Sequence, residues 1–181
     1  MKAFHGCCDS EKVIGSVSPK YQEKKADSIH VMLAGNPNCG KSTLFNRLCN
    51  LNVRTGNYPG VTVSRHVGSY GDRIQIIDLP GIYSLNSAST DELVASTELL
   101  DNDAELIVNV IDATSLERSL YLTLELKMLG APMVVLLNMW DEVKKRKISI
   151  DLEKLSKMLD ADIIPISAAS GEGLNAFEDY Q

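Results

Sequence analysis

The amino-acid sequence predicts an α/β fold, a three-layer sandwich in which helices cover both faces of a mostly parallel, six-stranded sheet. Two observations lead to this class. Short apolar runs alternate along the chain with segments whose apolar residues recur at helical spacing. The runs at 106–112 and 133–138 are also apolar almost throughout, which is typical of parallel strands buried on both faces. Such strands require helices above and below the sheet.

The first half of the chain is predicted to begin with a strand at Ile29–Gly35, followed by a glycine-rich loop and an amphipathic helix. The Gly- and Asn-rich residues from there to Thr62 are interpreted as a loop. Gly71-Asp72 is a strong tight-turn dipeptide, so the segments 65–70 and 73–79 on either side of it are predicted to form a hairpin.

The second half of the chain is predicted to add three strands and several helices. Capping-box patterns, Ser-x-x-Glu at 89–92 and Thr-x-x-Glu at 114–117, predict two helix starts. The second of these helices would carry Leu120, Leu124 and Met128. The other predicted elements are strands at 106–112, 133–138 and 163–166, a helix capped by Asp151 and a last helix from Gly173.

Composition and charge exclude several functions. The 181-residue chain has a formal net charge of -6, whereas nucleic-acid binding depends on clustered Lys and Arg that neutralise phosphates. The longest wholly apolar run, 131–137, falls far short of the roughly 20 residues that span a bilayer. The four cysteines show no C-x-x-C spacing, so a disulfide scaffold is not expected. The chain alone is therefore predicted to be soluble and not to bind nucleic acid.

Gly35-x-x-x-x-Gly40-Lys41-Ser42 is the P-loop pattern, placed between the first strand and the first helix. Its glycines let backbone amides converge on phosphate oxygens, Lys41 reaches the β and γ phosphates, and the Ser42 hydroxyl binds Mg²⁺. The helix that begins at Lys41 adds its positive N-terminal dipole. The predicted phosphate-binding residues are Gly35, Asn36, Pro37, Asn38, Cys39, Gly40, Lys41, Ser42 and Thr43.

Phosphoryl transfer needs further groups, and three of them lie at suitable places in the chain. Asp78 ends a predicted strand, where its carboxylate can hold Mg²⁺ through water. The amide of Gly81, in the same Asp-Leu-Pro-Gly stretch, can contact the γ-phosphate. Thr62 lies ahead of the hairpin and can give its hydroxyl to Mg²⁺ and its amide to the γ-phosphate. The predicted Mg²⁺ ligands are thus Ser42, Thr62 and Asp78.

Two further stretches predict that the base is guanine. Asn138-Met139-Trp140-Asp141 ends a buried strand, and the Asp141 carboxylate can accept hydrogen bonds from both N1 and N2 of guanine, a donor pair that adenine lacks. Ser167-Ala168-Ala169 follows the last strand and can offer the Ala168 amide to the guanine O6. Five such elements in this order are not expected by chance, so the chain is predicted to be a GTPase.

The stretches GNPNCGKSTLFN, GNYPGVTV, DLPGIYSL and LNMWDE closely resemble those of the cytosolic GTPase domain of the ferrous iron transport protein B family, bacterial membrane proteins. The resemblance covers about Ile29 to Phe177. It implies a P-loop NTPase sandwich of the Ras-like G-domain type with two switch regions. Met139 stands where a general GTPase usually has Lys, a departure that the family shares.

The resemblance also implies how the chain is organised. Residues 28–177 would be the G domain, 1–27 a flexible N-terminal extension, and 178–181 the start of a truncated helical region. In the family a helical domain and a polytopic membrane permease domain follow, so the full-length protein would lie at the cytoplasmic face of the bacterial cell membrane. An oligomer is compatible with the sequence. The folded part shows no cluster of iron ligands, so iron transport follows from the resemblance alone.

The residue after Gly81, where many small GTPases keep a water-orienting glutamine, is Ile82. An aliphatic side chain cannot polarise water, so backbone amides or an ion must replace it. In GTPases of this type, K⁺ is held by an asparagine at the position of Asn38 and by carbonyls that correspond to those of Gly56 and Tyr58. Asn38 could instead only stiffen the loop through local backbone bonds. Turnover is expected to be slow, far below one per second without an activator.

The residues that would carry hydrolysis are Asn38, Lys41, Thr62 and Gly81. Two other functions stay open. The missing glutamine is compatible with a non-catalytic switch that signals by GTP or GDP occupancy alone. A ribosome-associated, K⁺-dependent GTPase is the other alternative, but it would need a basic RNA-binding appendage, and the acidic chain has none.

Overall fold

The computed structural model describes residues 28–49, 52–58, 60–86, 89–101 and 104–178; the predicted extension 1–27 lies outside them. The strands are β1 (Ile29–Gly35), β2 (Val53–Asn57), β3 (Ser64–Tyr70), β4 (Ile74–Asp78), β5 (Leu106–Asp112), β6 (Met133–Asn138) and β7 (Asp162–Pro165). The α-helices are α1 (Lys41–Cys49), α2 (Thr90–Asp101), α3 (Leu116–Lys127), α4 (Trp140–Lys145), α5 (Leu152–Leu159) and α6 (Leu174–Glu178). Within these ranges no helix is both long and apolar enough to cross a membrane.

The strands form one sheet in the order β2-β3-β4-β1-β5-β6-β7. From β4 to β7 along this order each neighbouring pair is parallel, whereas β2 and β3 pair antiparallel with their neighbours. The predicted hairpin is confirmed, because β3 and β4 pair around a turn in which Gly71 has a φ of +60°. Glycine adopts that left-handed conformation without strain.

The sheet has seven strands rather than the six predicted, because β2 forms within the segment interpreted as a loop. Four of its five residues are exposed. As an edge strand it pairs only with β3, in a register that sets Val53 opposite Gly68 and Asn57 opposite Ser64. Backbone hydrogen bonds hold such a strand with little apolar alternation, so hydrophobic periodicity does not reveal it.

Each face of the sheet carries its own apolar core. On one face, α2, α3 and α5 cover side chains that include Met32 and Val135. On the other face, α1 and α6 cover Leu33 and Val108. Met32 and Leu33 are consecutive in β1, so they point into opposite cores, as the pleat of a strand requires. This arrangement confirms the three-layer α/β sandwich.

Two of the predicted helix starts are confirmed by their caps. The Ser89 hydroxyl accepts the Glu92 N–H at 3.3 Å, which is the N-cap hydrogen bond, and it donates to the Glu92 carboxylate at 2.5 Å. At the start of α5, the Asp151 carboxylate accepts the Lys154 N–H at 2.9 Å.

The start and the buried face of α3 differ from the prediction. The Thr114 N–H and hydroxyl both donate to the Asp112 carboxylate, at 2.8 and 2.7 Å, so a 3₁₀ turn forms at 113–115 and α3 begins one residue later. No capping box with Glu117 forms. Leu122 and Leu126 are fully buried, whereas Leu124 is 53% and Met128 85% exposed. The apolar pattern fits either face, and the docking of α3 on the sheet selects one.

Replacing Leu122 with Ala should lower the free energy of unfolding by about 2–5 kcal/mol, because a fully buried side chain is removed from a close-packed core. Leu124→Ala is the matched control, the same change on the same helix at an exposed position, and should cost no more than about 0.5 kcal/mol. Urea titrations of both variants measure the difference. Equal losses would contradict the assigned core face of α3.

Candidate nucleotide site

The predicted site residues lie in loops at one edge of the sheet. β1, β4, β6 and β7 run in the same direction, so the loops that follow them meet at the carboxyl ends of the strands. In open α/β sheets this edge is where ligands bind. The four loops are the P-loop 35–42, the segment 79–86, the turn 138–141 and the loop 166–173.

The P-loop glycines are required by close contacts. A Cβ on Gly35 would lie 2.4 Å from the Val110 carbonyl oxygen, on the neighbouring strand β5. A Cβ on Gly40 would lie 2.1 Å from Asn138 Nδ2, and Gly40 also has a φ of +87°. Asn38 has a positive φ of 64°, a conformation that Asn tolerates better than most residues. The fold therefore fixes the shape of this loop at both glycines.

Lys41, Ser42 and Asp78 form the polar centre of the site. Lys41 Nζ lies 2.5 Å from one carboxylate oxygen of Asp78, and the Ser42 hydroxyl donates to the other at 3.4 Å. Both Lys41 and Asp78 are buried. The predicted phosphate-binding lysine and two of the three predicted Mg²⁺ ligands thus meet at the start of α1 and the end of β4.

Two P-loop side chains do not face a phosphate. Asn36 is buried and its amide Nδ2 donates to the Arg118 carbonyl oxygen of α3 at 3.5 Å. Cys39 is 1% exposed and packs in the core under α1. Burial raises the pKa of the Cys39 thiol to about 11. At these two positions, any contact with phosphate must come from the backbone.

The segment after β4 packs tightly against the P-loop. A Cβ on Gly81 would lie 3.0 Å from Pro37 Cα, so a side chain there would displace the loop. The Ile82 N–H donates to the Gly35 carbonyl oxygen at 3.2 Å, and the Ile82 side chain is 2% exposed within the core of the α2 and α3 face. Ile82 is therefore a core residue, unable to orient a water at the phosphates.

Glu125 of α3 holds the rest of this segment. Its carboxylate accepts the Ser84 hydroxyl at 3.0 Å, the Leu85 N–H at 2.7 Å and the Asn86 side-chain amide at 2.7 Å. Glu125 was not among the predicted site residues. Its one signal in the sequence is a carboxylate within an otherwise apolar stretch of helix, LTLEL, and the partners come from 40 residues away.

Asn138 joins the P-loop to the loop after β7. It is buried, its Nδ2 donates to the Cys39 carbonyl oxygen at 2.8 Å, and its Oδ1 accepts the Ala168 N–H at 2.8 Å. The Ala168 amide, predicted to contact guanine O6, is thus engaged with Asn138 in this structure. Met139 follows in the left-handed conformation, φ 62°, and lets α4 begin directly after β6.

Asp141 presents a carboxylate at the start of α4. The Ser167 hydroxyl donates to its Oδ1 at 2.8 Å, and Lys145 Nζ lies 3.4 Å from its Oδ2. The Ser167 hydrogen bond, and to a smaller extent Lys145, lower the pKa of Asp141. The side chain is therefore ionised at neutral pH and able to accept two hydrogen bonds from a base. Ser167 thus acts through Asp141.

Arg47 is a second residue that was not predicted. It lies in the last turn of α1, and its guanidinium donates to the carbonyl oxygens of Ala168 and Ala169 at 2.9 and 2.6 Å. Nothing in the local sequence signals this contact, because Arg near a helix C-terminus is common for reasons of the helix dipole alone.

Three predicted site residues, Gly56, Tyr58 and Thr62, lie in the edge strand β2 or in the turn that joins it to β3. Gly56 is in β2, paired with Arg65, and the Tyr58 N–H donates to the Val63 carbonyl oxygen at 3.0 Å. Thr62 is exposed in the turn that closes this hairpin. Among the described residues, no hydrogen bond joins Thr62 to the P-loop or to Asp78. The structure therefore does not bring Thr62 into the Lys41–Ser42–Asp78 group.

Fold and site together define a P-loop NTPase fold of the G-domain type, with a mostly parallel seven-stranded sheet. The chain belongs to the ferrous iron transport protein B family, because the family model of that description matches residues 29–180.

Individual relatives agree with this assignment. The Fe(2+) transporter FeoB of Legionella pneumophila (strain Paris) is 50% identical over an alignment of 156 residues, and the match covers 82% of this chain and 21% of the relative. The Fe(2+) transporter FeoB of Salmonella typhimurium is 44% identical over an alignment of 153 residues, and the match covers 81% of this chain and 20% of the relative. The chain thus spans about a fifth of the length of these relatives.

Solved structures agree as well. The cytosolic domain of L. pneumophila FeoB superimposes with a TM-score of 0.79 at 51% identity, covering 83% of this chain and 61% of that one. An S. thermophilus NFeoB mutant bound to GDP gives a TM-score of 0.78 at 42% identity, covering 82% of this chain and 59% of that one.

Alkylation of Cys39 should be slow in the folded chain and fast in urea. With a pKa of about 11 instead of 9.0, the thiolate at pH 8 is about 100-fold scarcer, and the rate should rise about tenfold per pH unit as the thiol deprotonates. Iodoacetamide labelling followed by peptide mass analysis separates Cys39 from the other cysteines. Equal labelling rates in buffer and urea would show that the thiol is accessible.

Proposed function

We propose that this chain is the guanine-nucleotide-binding, slowly GTP-hydrolysing domain of a bacterial ferrous iron transporter. The observation that carries the proposal is the joining of two half-sites: Asn138 links the P-loop, with its buried Lys41–Asp78 pair, to the loop that contacts Asp141. A nucleotide spanning these halves would place its phosphates at the start of α1 and its base beside Asp141.

Guanine is the base that the Asp141 environment favours. An ionised carboxylate with a free lone pair on each oxygen accepts the N1 and N2 donors of guanine as a pair. Adenine has no such pair of donors. The S. thermophilus relative bound to GDP supports the same ligand for this chain.

The residues at the phosphate end fit Mg²⁺. The Ser42 hydroxyl and the Asp78 carboxylate are hard oxygen donors 3.4 Å apart, which suits an ion that prefers oxygen ligands and retains waters. Thr62 would complete the set if the hairpin tip moved toward α1. Bound there, Mg²⁺ would neutralise charge on the β and γ phosphates.

Asn38 is the residue that fits a K⁺ site. Its side chain is exposed and, among the described residues, makes no hydrogen bond, so local backbone bonds do not occupy it. This favours the ion-binding role over the loop-stiffening one. With the Gly56 and Tyr58 carbonyls, Asn38 would hold K⁺ near the γ-phosphate, where the ion would add positive charge at a site whose Ile82 side chain cannot polarise water.

The transporter part of the proposal rests on family membership. The chain covers about a fifth of the length of its relatives, so the helical domain, the membrane permease domain and the cytoplasmic membrane location belong to the proposed full-length protein. Among the described residues, no group of three or more His, Cys, Asp or Glu could hold a metal ion. We therefore place iron in the proposed permease and assign this chain the nucleotide.

A non-catalytic occupancy switch is the second candidate function. The burial of Ile82 favours it, because the residue that usually orients the attacking water is absent from the site. The ribosome-associated alternative has no comparable support, since the chain is acidic and belongs to a transporter family.

Replacing Asp141 with Asn should weaken GDP binding by roughly 100-fold, because a charged double acceptor is lost, and should improve binding of xanthosine diphosphate. The amide of Asn can donate to the xanthine O2 while its oxygen accepts from N1. Isothermal titration with both nucleotides measures the change. Asp162→Asn, at the exposed first residue of β7, removes the same charge away from the site and should change neither affinity. An unaltered GDP affinity in Asp141→Asn would reject the assigned base site.

Phosphate release from GTP should be several-fold faster in potassium than in sodium at equal ionic strength, and slow in both compared with one turnover per second. Asn38→Ala should lose the response to potassium, whereas Asn175→Ala, an exposed Asn on α6, should keep it. Equal rates in both salts would remove the K⁺ role of Asn38. If GTP binds but no phosphate is released in either salt, the occupancy switch is the better account.

A further inference from the structure

We propose that Arg47 is a positioning residue for base recognition: by holding the Ala168 carbonyl it orients the Ala169 N–H of the 166–173 loop toward the guanine O6, while touching no part of the nucleotide itself. The inference rests on the proposed function, since it assumes a guanine nucleotide between the P-loop and Asp141. Arg47 belongs to none of the predicted phosphate-binding or base-binding motifs.

The Arg47 guanidinium donates to two successive backbone carbonyl oxygens, those of Ala168 and Ala169. Arg47 Nε donates to the Ala168 oxygen at 2.9 Å and Nη2 to the Ala169 oxygen at 2.6 Å. A guanidinium presents its donors in one rigid plane, so it fixes both peptide groups relative to each other as well as to α1.

Holding a carbonyl also fixes the direction of the next amide. In a trans peptide the C=O and the following N–H point in opposite directions. With the Ala168 oxygen held by Arg47, the Ala169 N–H is turned away from the guanidinium. The Ala168 N–H is itself held by Asn138 Oδ1 at 2.8 Å. The Ala168 and Ala169 carbonyls are therefore bound to α1 through Arg47, and the Ala169 N–H faces away from α1.

The remainder of the loop is built around the same arginine. Gly171 has a φ of +88°, and a Cβ there would lie 2.7 Å from Arg47 Nη1. The loop is closed internally by the Gly171 N–H, which donates to the Ser167 carbonyl oxygen at 2.8 Å, and by the Ser167 N–H, which donates to the Glu172 carbonyl oxygen at 2.9 Å. These bonds shape the loop, and Arg47 attaches it to α1.

Direct phosphate binding does not explain Arg47. It lies six residues after Lys41, so at about 1.5 Å per residue it is roughly 9 Å further along α1 from the phosphate end. A favourable interaction with the C-terminal dipole of α1 is the simpler role for an Arg there. That role would affect helix stability but would not distinguish one atom of the base from another.

The test compares three nucleotides on the 181-residue chain. GDP, 6-thio-GDP and inosine diphosphate differ at single positions of the base: the thio analogue keeps N1–H and the 2-amino group but offers sulfur, a weak acceptor, in place of O6. Inosine diphosphate keeps O6 and lacks the 2-amino group that Asp141 would bind. Dissociation constants are measured by displacement of a fluorescent GDP from wild type, Arg47→Ala, Arg47→Lys and the control Arg73→Ala.

In Arg47→Ala, GDP affinity should fall roughly tenfold while 6-thio-GDP affinity falls less, so the preference for oxygen over sulfur shrinks. The preference for GDP over inosine diphosphate should stay within about twofold of wild type, because Asp141 lies on α4 and its partner Ser167 is held by its own backbone bonds to Gly171 and Glu172. Arg47→Lys keeps the charge but loses the paired donors of the guanidinium, so its preference for GDP over 6-thio-GDP should lie between those of wild type and Arg47→Ala. Arg73→Ala removes an exposed Arg in the β3–β4 turn, at the other end of β4, and should match wild type.

An unchanged oxygen-to-sulfur preference in Arg47→Ala would overturn the proposal. So would equal loss of both preferences, which would indicate a general disturbance of the site. If Arg47→Ala does not fold, the same comparison in Arg47→Lys decides. If wild type itself does not prefer GDP over inosine diphosphate, the proposed function fails; if it does and only the Arg47 variants behave as wild type, the proposed function stands and this inference fails.

Discussion

The buried side chain of Asn138 is the connection on which the site depends. β1 and β6 are separated in the sheet by β5, so their loops share no backbone hydrogen-bond ladder. Asn138 spans that gap, with its amide on the Cys39 carbonyl oxygen and its oxygen on the Ala168 N–H. A buried amide that satisfies two loops at once fixes their separation, because either loop would leave a polar group unpaired if it moved. Gly40 is required beside it, since a Cβ there would collide with the Asn138 amide.

The charges of the site follow from this framework. Lys41 and Asp78 form a buried ion pair, an arrangement that contributes little net stability because both charges lose their hydration. Under the proposed function, the pair supplies an ammonium group for the phosphates and a carboxylate for a cation. The Ser167 hydroxyl lowers the pKa of Asp141, and Ser167 belongs to the loop that Asn138 and Arg47 hold from its other sides.

The two segments that would respond to a γ-phosphate are attached to the same layer of helices. The 84–86 segment is bound by Glu125 of α3, and the Ser96 hydroxyl of α2 donates to the Leu85 carbonyl oxygen at 2.8 Å. The β2–β3 hairpin is attached to α2 through Arg65, whose guanidinium lies 2.6 Å from the Glu98 carboxylate. A displacement of either segment would therefore change its contacts with α2, the helix that both segments bind. This is the physical form that a two-state switch would take in this fold.

The sequence by itself determined the P-loop, the Asp141 and Ser167 stretches and six of the seven strands, because each of these depends on residues close together in the chain. Tertiary structure decided what depends on distant partners: that β2 pairs as an edge strand, that α3 buries Leu122 and exposes Leu124, and that Ile82 lies in the core. Glu125 and Arg47 meet partners 40 and 121 residues away, and such contacts leave no local pattern. Functional residues that lie in short motifs can be predicted from sequence. The side chains that hold those motifs in place can be identified only from the folded structure.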